Sequence, residues 1–227
     1  SACLRRLFWL CWSVILAFLL PDFFPCRTRN ALMYSDPWLD RWLPLIAQRE
    51  ISSPVLEIGC GFGDDTLTLT RAGWKVMAFD LSPECVETAQ QRAPEAQIEC
   101  RDTRGPWPEA ANNLELILAS LSLHYFPWDE TRTIVRRIWN SLRPGGLFLC
   151  RLNSTEDVNF GAGQGELIEA NFYRDQGNCK RFFDQASVEQ LFGAEWHRIS
   201  VQHMTSHKYI KQKAMWELVL EKGPLPD

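Results

Sequence analysis

"VLEIGCGFGDDT", residues 55–66, decides how this chain is read. An apolar run carries one acid, Glu57. Gly59, Gly61 and Gly63 then alternate with other residues, and Asp64 and Asp65 follow. Apolar and β-branched residues running into glycine read as a buried strand. The glycines let the backbone pass close beneath a ligand, with the amino end of the next helix alongside. In an open α/β sheet, ligands bind at that place, beyond the carboxyl ends of the strands. A dinucleotide site would show G-x-G-x-x-G to seat a pyrophosphate. Here the spacing is G-x-G-x-G, and two carboxylates stand where the pyrophosphate would lie. A ligand with a cationic or polar amino-acid portion suits them better. A tight turn whose aspartates cap a helix explains the same residues, so the glycine spacing alone leaves both readings open.

Strand and helix patterns alternate outward from this stretch. "DDTLTLTRAG" reads as a helix ending at Gly73, and "WKVMAFD" as a second strand. "SPECVETAQQRA" begins a helix with Ser82 as N-cap and Pro83 in its first turn. "AQIECRD" and "LELILASLSL" are the third and fourth strands. "DETRTIVRRIWNSLRPGG" places Ile134, Val135, Ile138 and Leu142 on one helical face, with Pro144-Gly145-Gly146 as the stop. "LFLCRLN" is the fifth strand. Such alternation predicts βαβ units and a parallel sheet covered on both faces. Further on, "DQASVEQLFG" reads as a short helix capped by Ser187, with Gln190 at capping-box spacing. "WHRISVQHM" and "AMWELVLEK" read as two closing strands, joined by a polar, basic surface connection.

Composition narrows the class. The chain has 227 residues, 46% hydrophobic and 23% charged, with a formal net charge of −4. That length supports one main domain. The acidic balance disfavours a nucleic-acid partner bound through a global basic field. The eight cysteines form no CxxC pair, and no Cys/His metal spacing occurs. Free thiols in a reducing cytoplasm, and no metal, are the expectation. Residues 1–32 differ from the rest. Two arginines precede a fourteen-residue apolar run, Leu7 to Leu20, too short for a confident membrane span of roughly 20 residues. It reads as an export signal, as a membrane-surface anchor, or as upstream translation outside the natural protein. The clean domain start at Met33 favours the last, with the domain at 33–227 and no membrane contact of its own.

Two further acids shift the balance at the glycine stretch. Asp80 closes the second strand and can take two hydrogen bonds from a ribose. Asp102 closes the third. With these on the page, the sequence resembles the class I S-adenosylmethionine-dependent methyltransferases. "LEIGCGFGDDT" resembles the first family motif, "FDLSPE" the ribose acid, and "RDT" the adenine position. "ILASLSLHYF" is similar to the substrate-facing strand and loop, and "LRPGGLFL" to the turn that follows. The resemblance spans about Tyr34 to Lys222. It implies a doubly wound, mostly parallel, Rossmann-like sheet of seven strands with a reversed last strand, and S-adenosylmethionine as cofactor.

By that resemblance Glu57, Gly59, Gly61 and Gly63 surround the methionine portion. Asp80 and Leu81 hold the ribose, Asp102 and Thr103 the adenine, and Ser120 lies beside the cofactor. His124 and Tyr125 are the candidates for acid–base work. Arg151 and Asn153 would hold an anionic substrate. Tyr34 and Trp38 would cover the site, although Trp38 and Trp42 are also spaced to pack one helix face. "RLNSTEDVNFGAGQGELIEANFY" with "KRFFDQASVEQLF" is similar to the small-molecule branch that includes tellurite-resistance methyltransferases. That implies a small polar or anionic acceptor, such as a chalcogen oxyanion or a thiol. Residues 153–181 would form a mobile lid or a plain surface loop, with Arg151, Arg174 and Arg181 supplying positive charge. A non-catalytic cofactor-binding protein and a nicotinamide-dependent reductase are the alternatives.

Overall fold

A computed structural model describes residues 37–206 and 211–224. The expected boundary at residues 32 and 33, the apolar run and Tyr34 lie outside them. Seven strands form the central sheet: β1 (Val55–Ile58), β2 (Val76–Asp80), β3 (Gln97–Cys100), β4 (Leu114–Ser120), β5 (Leu142–Asn153), and the closing strands. A three-stranded insert of β6 (Glu166–Glu169), β7 (Phe172–Asp175) and β8 (Asn178–Arg181) precedes the closing strands, β9 (Trp196–Ser206) and β10 (Lys213–Lys222). Their order is β3-β2-β1-β4-β5-β10-β9. β1 to β5 run parallel, and β10 runs antiparallel to both neighbours. The doubly wound, mostly parallel seven-stranded sheet expected from the sequence is therefore the fold.

The inner strands bury both faces because side chains alternate about the sheet, while the edge strands β3 and β9 leave many side chains exposed. Leu56, Ile58, Phe79, Ile117, Phe148, Cys150 and Leu218 share one core. That core is covered by α4 (Trp128–Ser141) and α5 (Gln185–Leu191). Val55, Val76, Ala78, Leu116, Leu118, Leu149 and Val219 share the other. Over it lie α1 (Leu43–Ala47), α2 (Asp64–Arg71) and α3 (Pro83–Arg92). Near-continuous apolar strands are what two covered faces require. The amino end of the sheet is tied by Glu115, whose carboxylate accepts from the Ser52 and Ser53 amides and pairs with Arg143.

Three details differ from expectation. α4 ends at Ser141, and Leu142 already pairs with Leu114 of β4. Pro144-Gly145-Gly146 therefore makes an irregularity inside β5, where Arg143 to Gly146 stand opposite Glu115 alone. The cap of α5 is Asp184, not Ser187. Asp184 accepts from the Ser187 amide, and Ser187 Oγ accepts from the Asp184 amide, which completes a reciprocal box one turn earlier. The 153–181 segment is neither a plain loop nor an irregular lid. It holds a second antiparallel sheet of β6 (Glu166–Glu169), β7 (Phe172–Asp175) and β8 (Asn178–Arg181). Short strands with tight turns at Asn171 and Gln176-Gly177, all in left-handed backbone, gave only weak alternation in the sequence. Among the described residues no helix is long and apolar enough to cross a membrane, and no cluster of three or more His, Cys, Asp or Glu side chains could hold a metal.

Candidate active site

The glycine stretch turns at the carboxyl edge of the sheet. The amides of Gly59 and Cys60 both donate to Phe79 O, at 2.8 and 3.1 Å, which seats the loop on β2. Gly59 has φ +70°, and a Cβ there would lie 2.4 Å from Ser122 Cβ, so only glycine fits. Gly61 has φ +53° and is different, because nothing lies within 4 Å of where its Cβ would be. The loop is thus packed on one side and open on the other. Gly63, also left-handed, is the N-cap of α2. The two aspartates that follow separate: Asp64 turns outward to Arg92 at 2.6 Å, while Asp65 turns inward and accepts from Trp38 Nε1 at 2.8 Å. Beneath the loop, Glu57 is buried and accepts from Thr66 Oγ1. Burial first, then the charge of Asp65, pushes its carboxyl well above the usual range against the opposing Thr66 bond.

Asp80 ties the loop to the second strand. Its Oδ2 accepts from the Gly61 amide and its Oδ1 from the Ser82 amide, both at 2.9 Å. Leu81 next to it is 46% exposed and Phe62 in the loop is 40% exposed, so two large apolar side chains flank the open side of Gly61. Asp102 stands apart from this group: its carboxylate accepts from the Arg104 amide and pairs with the Arg104 guanidinium at 3.6 Å. Thr103 offers its carbonyl to Trp107 Nε1 and to Arg137.

A second group gathers beyond β4 and β5. Leu121, just past β4, is held in left-handed backbone at φ +54°, a strained conformation for leucine, with its amide donating to Arg151 O. Ser120 Oγ accepts from Arg151 Nε at 2.9 Å, and the Arg151 guanidinium lies 4.4 Å from the Trp38 ring. Trp38 is buried against Arg151 and Asp65, and it shares an apolar cluster with the partly buried Trp42, whose Nε1 donates to Glu217. His124 and Tyr125 follow in a 3-10 turn, Leu123–Tyr125, with their rings 4.1 Å apart. His124 is buried, and burial, with Lys180 and Lys213 adding to it, holds its imidazole well below 6.5. Tyr125 is exposed.

Asn153 is also buried, and its Oδ1 accepts from Lys213 Nζ at 2.8 Å. Lys213 pairs in addition with the buried Asp157 at 2.8 Å. Three buried side-chain atoms have no hydrogen-bond partner among the described residues: Ser122 Oγ, His124 Nδ1 and Asn153 Nδ2. The expected charges of the insert sit elsewhere. Arg174 pairs with Glu166, and the buried Arg181 with Glu169, so both serve the small sheet. Burial brings the Arg181 pKa down to about 10. The sequence missed Lys213, read as part of a surface connection, and Lys180 and Asp157. None belongs to a motif, and only the meeting of β5, β10 and the insert makes them neighbours. Asp65 and Thr66 were within the first motif, and their roles beneath Trp38 and Glu57 needed the fold.

Residues 55–146 match the family model described as a methyltransferase domain. That stretch lies within the span that resembles the class I S-adenosylmethionine-dependent methyltransferases, a class whose cofactor is S-adenosylmethionine. It is similar to tRNA N(3)-cytidine methyltransferase METTL2 of Bos taurus, at 27% identity over 153 residues, 61% of this chain and 40% of that protein. It is similar also to trans-aconitate 2-methyltransferase of Delftia acidovorans, at 31% identity over 101 residues, 43% of this chain and 37% of that protein. The chain thus spans about two fifths of the length of these curated relatives. A solved S-adenosylmethionine-dependent methyltransferase from Clostridium acetobutylicum shares the fold, with a TM-score of 0.65 at 17% identity over 84% of this chain and 92% of that one. The comparisons support neither the reductase nor the non-catalytic alternative.

Proposed function

We propose that the domain transfers the methyl group of S-adenosylmethionine to a small polar or anionic molecule. The observation that carries this is one sheet edge with two unlike halves: a glycine loop open at Gly61 and clipped to Asp80, beside a buried polar group around His124. The open side of the loop fits the cofactor. Gly59, Gly61 and Gly63 let the methionine portion approach, with Glu57 beneath them. The Asp80 carboxylate retains lone pairs for ribose hydroxyls, and Leu81 and Phe62 offer apolar cover. Asp102 and Thr103 stand at the adenine end, and Ser120 beside the reacting half. Trp38 covers the acceptor.

Methyl transfer is an in-line displacement. A lone pair of the acceptor forms the new bond to carbon as the carbon–sulfur bond breaks, leaving S-adenosylhomocysteine and the methylated acceptor. The cofactor supplies the reactivity, and the protein aligns the partners and excludes water. If the acceptor atom carries a proton, neutral His124 can take it, with Tyr125 at the rim as the second candidate. Arg151 and Asn153 orient the acceptor. Within this class, chalcogen oxyanions and small thiols are the narrower expectation, since soft nucleophiles need no base. The relative named for trans-aconitate favours an anionic organic acid equally. The test is S-adenosylhomocysteine release from purified protein, S-adenosylmethionine and a panel: selenite, tellurite, small thiols, trans-aconitate, other organic acids, large planar phenols and tRNA. Release with small polar or anionic members supports the reading. Release with large neutral phenols alone, or with tRNA alone, overturns it.

A further inference from the structure

The buried groups beyond β5 are arranged for more than packing. Four elements converge there: the turn carrying His124, the end of β5 with Asn153, the start of β10 with Lys213, and β8 with Lys180. The turn packs on both β5 and β8. Two ammonium groups, Lys180 and Lys213, have one carboxylate between them, Asp157, and that carboxylate is already committed. Its Oδ2 holds Lys213 and its Oδ1 accepts from the Ala214 amide. Lys180 Nζ has Phe160 O, at 3.2 Å, as its hydrogen-bond acceptor among the described residues, which leaves donors unused. Asn153 Nδ2 is a buried donor with no partner, and its orientation is fixed because Oδ1 accepts from Lys213. His124 Nδ1 is the second orphan, buried in the same neighbourhood. Buried polar atoms are nearly always satisfied, so an orphan amide donor and an orphan ring nitrogen beside excess positive charge point to a polar ligand.

We propose that Asn153, Lys180, Lys213 and His124 form the acceptor subsite, and that the acceptor places an oxyanion there, either the carboxylate of an organic acid or an inorganic oxyanion. The proposal rests on the methyl-transfer reading and deepens it. An oxyanion has the lone pairs to satisfy Asn153 Nδ2 and the unused Lys180 donors together, and it balances the second ammonium. A neutral acceptor would leave that half-buried ammonium without a counter-charge and Asn153 Nδ2 without an acceptor. Arg151 is held by Ser120 and Trp38 at the cofactor side, so it faces the boundary between the two halves rather than the centre of this group.

The test compares organic acids with their methyl esters, and adds selenite and tellurite as inorganic arms. Binding to the S-adenosylhomocysteine-loaded protein is measured by calorimetry, and turnover by S-adenosylhomocysteine release. At least one acid or inorganic oxyanion should bind, and the ester of a binding acid should bind tenfold or more weakly. Lys180→Met keeps the apolar stem of the side chain and removes the ammonium group. It should raise Kd and KM for the anion about tenfold, with kcat and the Kd for S-adenosylmethionine near wild type. Response to acids alone assigns the organic source, and response to selenite or tellurite alone the inorganic one. Anion binding that Lys180→Met weakens, without turnover of any acceptor, upholds the subsite and removes the methyl-transfer reading. Esters bound as tightly as acids, or anion binding indifferent to Lys180→Met, overturns the subsite. So does failure of every anion to bind a protein that binds S-adenosylhomocysteine.

Discussion

Replacing Asp80 by alanine tests two consequences of one carboxylate. Its oxygens accept from the Gly61 and Ser82 amides at 2.9 Å each. A hydrogen bond to a charged acceptor contributes about 1.5 to 3 kcal/mol. Asp80 is only half-buried, so water can replace part of each bond, and the lower end applies. Two such bonds give about 3 kcal/mol. For a domain of this size that lowers the melting temperature by about 6 to 12 °C. The second consequence is binding. Ribose hydroxyls that lose a charged partner weaken S-adenosylmethionine by about 1 to 3 kcal/mol, roughly fivefold to 150-fold in Kd. Circular-dichroism melts without ligand read the first, and calorimetry well below the melting point reads the second. An unchanged melting temperature refutes the loop-brace argument. A lowered melting temperature with unchanged Kd shows that Asp80 braces the loop and does not meet the ribose.

Gly59→Ala brings a Cβ to 2.4 Å from Ser122 Cβ in left-handed backbone, and urea unfolding should show a loss of about 2 to 5 kcal/mol, partly recovered by Ser122→Gly. Gly61→Val meets open space but strains backbone at φ +53°, so it should cost about 1 to 2 kcal/mol of stability while far-UV circular dichroism stays near native and S-adenosylmethionine binding is lost; retained binding would show that close backbone approach is unnecessary there. Burial, then Lys180 and Lys213, depress the His124 pKa, so below about pH 6.5 the unfolded chain takes up a proton that the folded one refuses. Stability should therefore fall with pH below that point by up to about 1.4 kcal/mol per unit, and His124→Asn should remove this slope. Glu57, raised by burial, acts with the opposite sign as pH falls, so the difference between wild type and variant is the quantity to measure. Asp184→Ala deletes the reciprocal cap of α5 and should cost about 1 kcal/mol by chemical denaturation, while Gln190→Ala should cost little.

The central sheet was legible because its signals are local. Apolar runs such as "VLEIG" and "LELILAS" are strands on any reading, and glycine and aspartate at their ends mark one sheet edge whatever packs around them. Ser82 as a cap is equally local, since its Oγ reaches the Cys85 amide within one turn. The cap of α5 was misplaced by three residues because "DQAS" holds both partners of a reciprocal box and either can be read as the first. The small sheet of β6 to β8 was missed because four-residue strands carry too few alternations to outweigh their turns.

For the candidate site, the sequence by itself determined the glycine loop, the strand-end acids and the turn carrying His124. Backbone conformation and strand ends impose those residue types at those spacings. Only the tertiary structure decided what each side chain meets. Asp64 and Asp65 are adjacent in sequence, yet one faces Arg92 at the surface and the other lies under Trp38. Lys213 sits in a basic stretch that reads as solvated, yet it is buried because β10 runs antiparallel and brings its first residue to the carboxyl edge, beside Asn153 and Asp157. Burial and charge balance depend on contacts between residues far apart in the chain, Asn153 with Lys213 and Ser154 with His203, and no local pattern encodes those pairings.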